Sequence, residues 1–555
     1  MKKYFAFATG LACFLFTGCF LLDLDTTLST QIVDKNITVE KNGEVYLLKL
    51  NSSDTQLIKA ANTGYIVSKT DRSAGALENP EIPDVAQLKD INGQVQTNNL
   101  NQSFISSLEN IPVERSISPS GAVVSGKDNT LGSRSKFWSY TRKEPNSGFL
   151  EGINEQIDVT LKKTGSHCYV YVDKNVNVST TLINNIQSKF DSIFDLETGI
   201  IGNPLYSSYN STYFVPSGDK VCILISDLYG DAQNGDVLGY FYSADLFNQD
   251  FLDNHVASLG IINSNQCEVF YIDAYYLINS TEEIYSTLVH EFNHMINFVQ
   301  KTLNYMTAHP NTNPNYMPSC STWFTEMLAM TTEDMFASYL GYTTFEHTPK
   351  ERLLYYNLFH NYGFRNWENQ YKIKGYEQYD NLWVYVNYAN TYAFGAYLAR
   401  NFGGTDLIKQ IAQNEYVDEE AITKAIKSVY CTGNNANYDF DFALMKFGTC
   451  LINTDEPDSS IADIRGENQY FSFNRQERKT NTSELYFMPI DLTQCYQINS
   501  NGQKQYIGPT VYKNYSQQAD LGPNGFSLHY VGKNLSSFDI KMVVNSPIDY
   551  YKVIK

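Results

Sequence analysis

The stretch TLVHEFNHMINF, residues 287–298, sets His290 and His294 four apart around Glu291 inside an apolar run. On a helix this spacing puts both imidazoles on one face, where their ring nitrogens can hold one metal ion. Glu291 lies one position on, close enough to reach a water on that metal without ligating it. Zinc lowers the pKa of such a water from about 15.7 to about 7, so a neighbouring carboxylate can take its proton. Histidine is scarce, 8 in 555 residues, which makes chance a poor explanation for two of them flanking a glutamate. The bland alternative is a core helix with hydrogen-bonded histidines, because Leu288, Phe292, Met295, Phe298 and Val299 supply apolar bulk.

Two histidines leave a third ligand to find. The pattern HExxHxxGxxH needs glycine and histidine three and six residues after His294, where this chain has Asn297 and Gln300. Between His294 and Glu326 there is no aspartate or glutamate at all. Glu326 is therefore the first carboxylate available. It falls in STWFTEMLAM, a predicted helix with Ser321 or Thr322 to cap it and Trp323, Phe324 and Leu328 to keep it from full exposure. His309, in the proline-rich TAHPNTNPN, is the remaining alternative, although an exposed loop is a poor place to fix a ligand.

HEFNH followed by WFTEMLA, with VLGYFYSADLF and SNQCEVFYIDAYYL upstream, resembles the gluzincin metallopeptidases and more closely their hyicolysin-like family of secreted bacterial peptidases. The resemblance covers about residues 135–455. It implies a zincin-type catalytic domain with one zinc ion held by His290, His294 and Glu326, Glu291 as general base, and a peptide or protein substrate. Met327 stands where related helices commonly carry glycine, which points to a reshaped cleft. Gluzincins commonly add a tyrosine or histidine that donates to the oxyanion. In VNYANTYAFGAYLARNFGG, Tyr392 at the expected helix start is favoured over Tyr388, with simple packing as the alternative for either among 42 tyrosines. CEVFYIDAYYL is the expected edge strand, able to take an extended substrate by β-augmentation, with Asp273 as a turn or supporting residue. DLYGDAQNGDVLGYF offers Asp227, Asp231 and Asp236 for calcium, but its spacing departs from D-x-[DN]-x-[DN]-G, and a solvated turn is the better reading.

These residues need a scaffold. Strand-like runs dominate from about 135 to 277, broken by STTLINNIQSKFDSIF with Leu182, Ile186, Phe190 and Ile193 at helical spacing. Helical patterns follow to about 453, so the fold class is α+β, a mixed sheet with an active-site helix and then a helical subdomain. Small β regions flank it. NITVEKNGEVYLLKLN reads as a hairpin about Asn42-Gly43 in a region at 19–70, and a C-terminal β domain spans 456–555. A polar linker fills 71–134, and the peptidase domain is expected at 135–455.

The chain opens MKKYFAFATGLACFLFTGC: Lys2 and Lys3, an apolar stretch too short to span a membrane, then LFTGC. This resembles a bacterial lipoprotein signal over residues 1–18 with lipid on Cys19, although Phe16 stands where leucine is usual and Cys13 has less suitable flanks. An ordinary secretory signal cut elsewhere is the alternative. The implied location is the cell envelope, at the outer membrane or cell surface, with the membrane contacted through lipid. Net charge is −19, and removal of the two leader lysines takes it to about −21; with no Lys/Arg cluster, nucleic acid is an unsuitable partner. The seven cysteines after Cys19 show no CxxC spacing, and a Cys431–Cys450 pair is only weakly suggested. The function expected is a lipid-anchored zinc endopeptidase. The alternatives are a surface binding protein or adhesin that keeps the fold without turnover, and a zinc hydrolase of non-peptide substrates.

Overall fold

The computed structural model describes residues 31–39, 42–70, 131–143, 152–206, 213–228, 237–255, 262–303, 305, 309, 319–367, 369–379, 382–431, 438–452, 462–463, 471–474, 485–499, 501–513 and 517–555. The leader with Cys19, residues 71–130 of the expected linker, and Asp231 and Asp236 of the acidic loop lie outside them.

Three strands come first: β1 (Gln31–Thr38), β2 (Glu44–Asn51) and β3 (Tyr65–Thr70). The main sheet follows, built from β4 (Lys136–Lys143), β5 (Gly152–Thr164), β6 (Cys168–Asp173), β7 (Val221–Ser226), β8 (Gly239–Phe241) and β9 (Val269–Asp273). Their order is β4-β5-β6-β7-β9-β8. β6, β7 and β9 run parallel while the other neighbours are antiparallel, so the sheet is mixed. Parallel strands need cover on both faces, and β7 (VCILIS) is buried along its whole length. Helix α1 (Thr180–Ile200) makes the crossover from β6 to β7. Ser179 Oγ caps it by accepting from the Leu182 amide at 3.3 Å, and Ile183, Ile186, Phe190 and Ile193 form its buried stripe.

Helices α2 (Gln249–His255), α3 (Ala274–Asn279), α4 (Thr281–Phe298), α5 (Thr322–Leu340), α6 (Leu353–Phe359), α7 (Leu382–Phe402), α8 (Gly404–Gln413), α9 (Asp418–Val429) and α10 (Phe440–Thr449) follow. Sheet first and helices second is the expected α+β architecture. α4 carries the HEFNH stretch. Glu282 and Glu283 sit in its first turn, where the helix dipole favours negative charge. It runs on into a π turn at Val299–Leu303, where buried Lys301 donates to the Ile411 and Asn414 carbonyls at 2.6 Å and ties the end of α8 down. α5 and α7 are buried on most sides, as apolar helices of a core must be. They cross at Gly395, where a Cβ would sit 2.0 Å from Thr331 Oγ1 and 2.9 Å from Met327 Cγ.

Strands from both chain ends share two further sheets. β14 (Ser537–Val544) lies between β1 and β3, and β2 lies between β13 (Phe526–Lys533) and β15 (Ile548–Ile554), with β10 (Ala462–Asp463) beyond β15. β11 (Tyr496–Ile498) and β12 (Lys504–Tyr506) pair separately. The hairpin expected about Asn42-Gly43 does not form, because β1 and β2 belong to different sheets. The reason is burial: Leu48 and Leu50 of β2 enter the main core while Val45 and Leu47 enter a second, smaller one. A strand covered on both faces takes its neighbours from wherever the apolar surface is, and here that is the C-terminus.

The edge-strand and Cys431–Cys450 expectations are corrected, while Asp273 takes the turn role. β9 ends at Asp273, whose carboxylate accepts from the Tyr276 and Leu228 amides at 3.0 Å and caps α3, so Asp273 is a turn residue. β9 is also internal, flanked by β7 and β8, which leaves β8 as the edge strand on that side among the described residues. The seven described cysteines are all free thiols, Cys431 and Cys450 included. No described helix is long and apolar enough to cross a membrane.

Candidate active site

α4 packs against β8, β9 and α5, and the expected metal-binding side chains meet in that wedge. His290 Nε2 and His294 Nε2 lie 3.0 Å apart. Glu326 brings Oε2 to 3.3 Å from His290 Nε2 and Oε1 to 3.7 Å from His294 Nε2. A tetrahedral metal about 2.0–2.1 Å from each ligand would hold those ligands roughly 3.3 Å apart, which the three separations bracket. All three side chains are buried, and they form a group able to hold a metal ion. The Glu326 and Glu291 oxygens lack well-aligned hydrogen bonds among the described residues, although His290 and the Tyr388 phenol lie beside Glu326 and the Phe241 backbone beside Glu291. Buried carboxylates without donors are costly unless a cation takes their lone pairs, so the donor set fits a metal.

Charge supports the same fit. Glu291, Glu326 and Glu333 converge here with one guanidinium, Arg352, and a divalent cation would neutralise the set. Burial opposes a charge on His290, yet Glu326 and Glu333 outweigh it and push the imidazole up to about 10. The site thus draws positive charge to the place the two imidazoles share. His294 is held well below its ordinary value by burial and by His290, so it stays neutral with a lone pair to give. Burial pushes the Glu291 carboxyl up to about 8, with His290 opposing and Glu326 adding to the shift. A cation held by His290, His294 and Glu326 would lower it again, toward the ionised form a general base needs.

Sequence reasoning missed Glu333. It lies seven residues after Glu326 on α5, two turns along the same face, and that spacing was the available signal. Its Oε1 accepts from His290 Nδ1 at 2.6 Å and its Oε2 from Ser286 Oγ at 2.6 Å. Burial alone would raise Glu333, but His290 and Arg352 hold it below its ordinary value. An acceptor on Nδ1 fixes the tautomer that leaves Nε2 to face the ligand centre.

Tyr392 lies about one turn along α7 from Tyr388. It is buried beside Asp334 and Arg400, whereas Tyr388 lies near Glu326 and Glu291, and burial and Glu326 push its phenol well up. α7 begins at Leu382 and not at Tyr392, so Tyr392 lies in its third turn. His309 is exposed and stacks on Tyr305 with ring centroids 4.4 Å apart, apart from the ligand group. Met327 packs toward Gly395 at the α5–α7 crossing. The Ser321 hydroxyl donates to Asp418 instead of capping α5.

No family model matches the chain. It is similar to the neutral metalloprotease ShpI of Staphylococcus hyicus, with 26% identity over 287 residues, 49% of this chain and 54% of that protein. The chain spans about half the length of that relative. A solved aminopeptidase N family protein from Idiomarina loihiensis aligns over 75% of this chain and 74% of its own at 11% identity, with a TM-score of 0.25. That geometric likeness is too small to carry an argument.

Proposed function

We propose that the protein is a zinc-dependent endopeptidase held at the bacterial cell envelope by lipid on Cys19. The observation that carries the reading is the convergence of His290 Nε2, His294 Nε2 and Glu326 beside an uncommitted Glu291 carboxylate. Similarity to a neutral metalloprotease supports a metal-dependent peptidase. Zinc bound to this group supplies Lewis acidity, lowering the pKa of water to about 7 and polarising the scissile carbonyl. Glu291 takes the proton of the attacking water and delivers it to the leaving amine. Tyr388, beside Glu326 and Glu291, donates to the carbonyl oxygen as negative charge develops on it. Glu333 keeps His290 in the tautomer the centre needs.

The test compares zinc content and casein cleavage of the purified protein and its Glu291→Gln variant. Both should hold one zinc per chain, with cleavage lower by about 10²–10⁴-fold in the variant. A zinc-free wild type rejects the centre, and equal turnover rejects the role of Glu291. Anchoring is tested by Cys19→Ser, which should move the protein from the membrane fraction to the soluble one.

A further inference from the structure

Two arginines are buried among these helices in different ways. Arg400 is satisfied: it grips Asp334 at 2.6 and 3.1 Å and donates to the Met488 and Ala396 carbonyls. That is how a guanidinium holds a fold together. Arg352, in the turn at Lys350–Arg352 before α6, is 2% exposed, and its NH1 makes no hydrogen bond among the described residues. Burying a guanidinium nitrogen without a hydrogen-bond partner is costly, so its neighbours must account for it. NH1 lies 3.6 Å from Glu333 Oε1, the atom that accepts from His290 Nδ1. The guanidinium carbon lies 5.4 Å from the centre of the Tyr388 ring, within cation–π range. One side chain thus touches both the residue behind the first histidine and the phenol beside the ligand carboxylate.

We propose that Arg352 is a positioning residue of the active site, holding the Glu333 carboxylate against His290 and seating the Tyr388 ring beside Glu326. The inference rests on the zinc-peptidase reading. Without the guanidinium, Glu333 loses an anchor and can turn away from Nδ1, and the Tyr388 ring loses the charge beneath it. The first effect weakens metal binding, and the second misplaces a donor to the developing oxyanion. Lysine would restore a point charge near Glu333 but not the flat group that stacks under a ring.

The experiment uses the full chain with Arg352→Met, Arg352→Lys, Glu333→Gln and the Arg352→Met/Glu333→Gln pair. Zinc affinity is measured by chelator competition, kcat and KM at saturating zinc, and Tm alongside. Arg352→Met should lower zinc affinity by about 10–100-fold, the range for lost outer partners of a metal-binding histidine. Its kcat at saturating zinc should fall about tenfold or more with KM little changed. Arg352→Lys should recover part of the affinity but not kcat. In the Glu333→Gln background, Arg352→Met should cost less than about threefold further affinity, because both act through one path. A loss confined to Tm, or full additivity with Glu333→Gln, overturns the proposal. If Arg352→Met does not fold, wild-type affinity and kcat in Arg352→Lys overturn it instead. A wild type that binds no zinc fails the underlying reading, and that is seen before any variant is compared.

Discussion

Glu326 and His309 compete for one role in the sequence, and their surroundings separate them. Glu326 is wholly buried with its oxygens turned to His290 and His294, whereas His309 is exposed against Tyr305. Glu326→Ala should therefore lose zinc at concentrations that saturate the wild type, and His309→Ala should keep it, as read by metal analysis after dialysis. Tyr388 and Tyr392 separate in the same way. Tyr388→Phe should raise the barrier by about 2.7–4 kcal/mol, the usual worth of an oxyanion donor, seen in kcat. Tyr392→Phe should leave kcat intact, since its phenol sits by Asp334 and Arg400. The histidines and Glu291 were legible because helical spacing is local. Glu333 carried an equally local signal, but nothing in the sequence says that a second glutamate of α5 meets the other nitrogen of His290.

At the scale of elements, the α5–α7 crossing sets Tyr388 against Glu326. Gly395 permits that approach, and Gly395→Ala must push Thr331 and Met327 aside. The expected cost is about 1–3 kcal/mol in denaturant unfolding, typical of overpacking, with a fall in kcat as Tyr388 moves. Unchanged stability would mean the crossing has slack. The start of α7 was misread for a physical reason. LWVYVNYAN is rich in β-branched and aromatic residues, and its asparagines suggest a turn. Those asparagines instead serve neighbouring backbone: Asn387 Oδ1 accepts from the Asn366 amide at 3.0 Å, and Asn390 Nδ2 donates to the Gly363 carbonyl at 2.7 Å. Tertiary contacts override local preference there.

At the scale of the molecule, β2 is clasped between β13 and β15, so the two chain ends close on each other. Lys49 of β2 is fully buried and donates to the Gly64 carbonyl at 2.7 Å. Burial lowers its ammonium to about 7. Between about 7 and the ordinary lysine range the unfolded chain binds more protons than the folded one, so this group makes stability rise with pH. The slope is at most about 1.4 kcal/mol per pH unit, and the stability gained is lost as pH falls from the ordinary lysine range to about 7. Lys49→Met should remove that slope, measured as the difference in unfolding free energy between the two proteins from pH 7 to 10. Parallel curves would show that Lys49 stays protonated when folded.

The sequence by itself determined the chemistry on offer: two histidines on one helical face, a glutamate between them, the first carboxylate available after them, and an α+β order of elements. Those features follow from spacing along a single element, or from which residue types are present. Tertiary structure set Tyr388 beside Glu326 and Tyr392 beside Asp334, put Glu333 and Arg352 behind His290, and left β8 at one edge of the sheet. It also paired the chain's first strands with its last. Each of these depends on the register between segments far apart in the chain, and that register is chosen by which buried surfaces fit together, not by any local period.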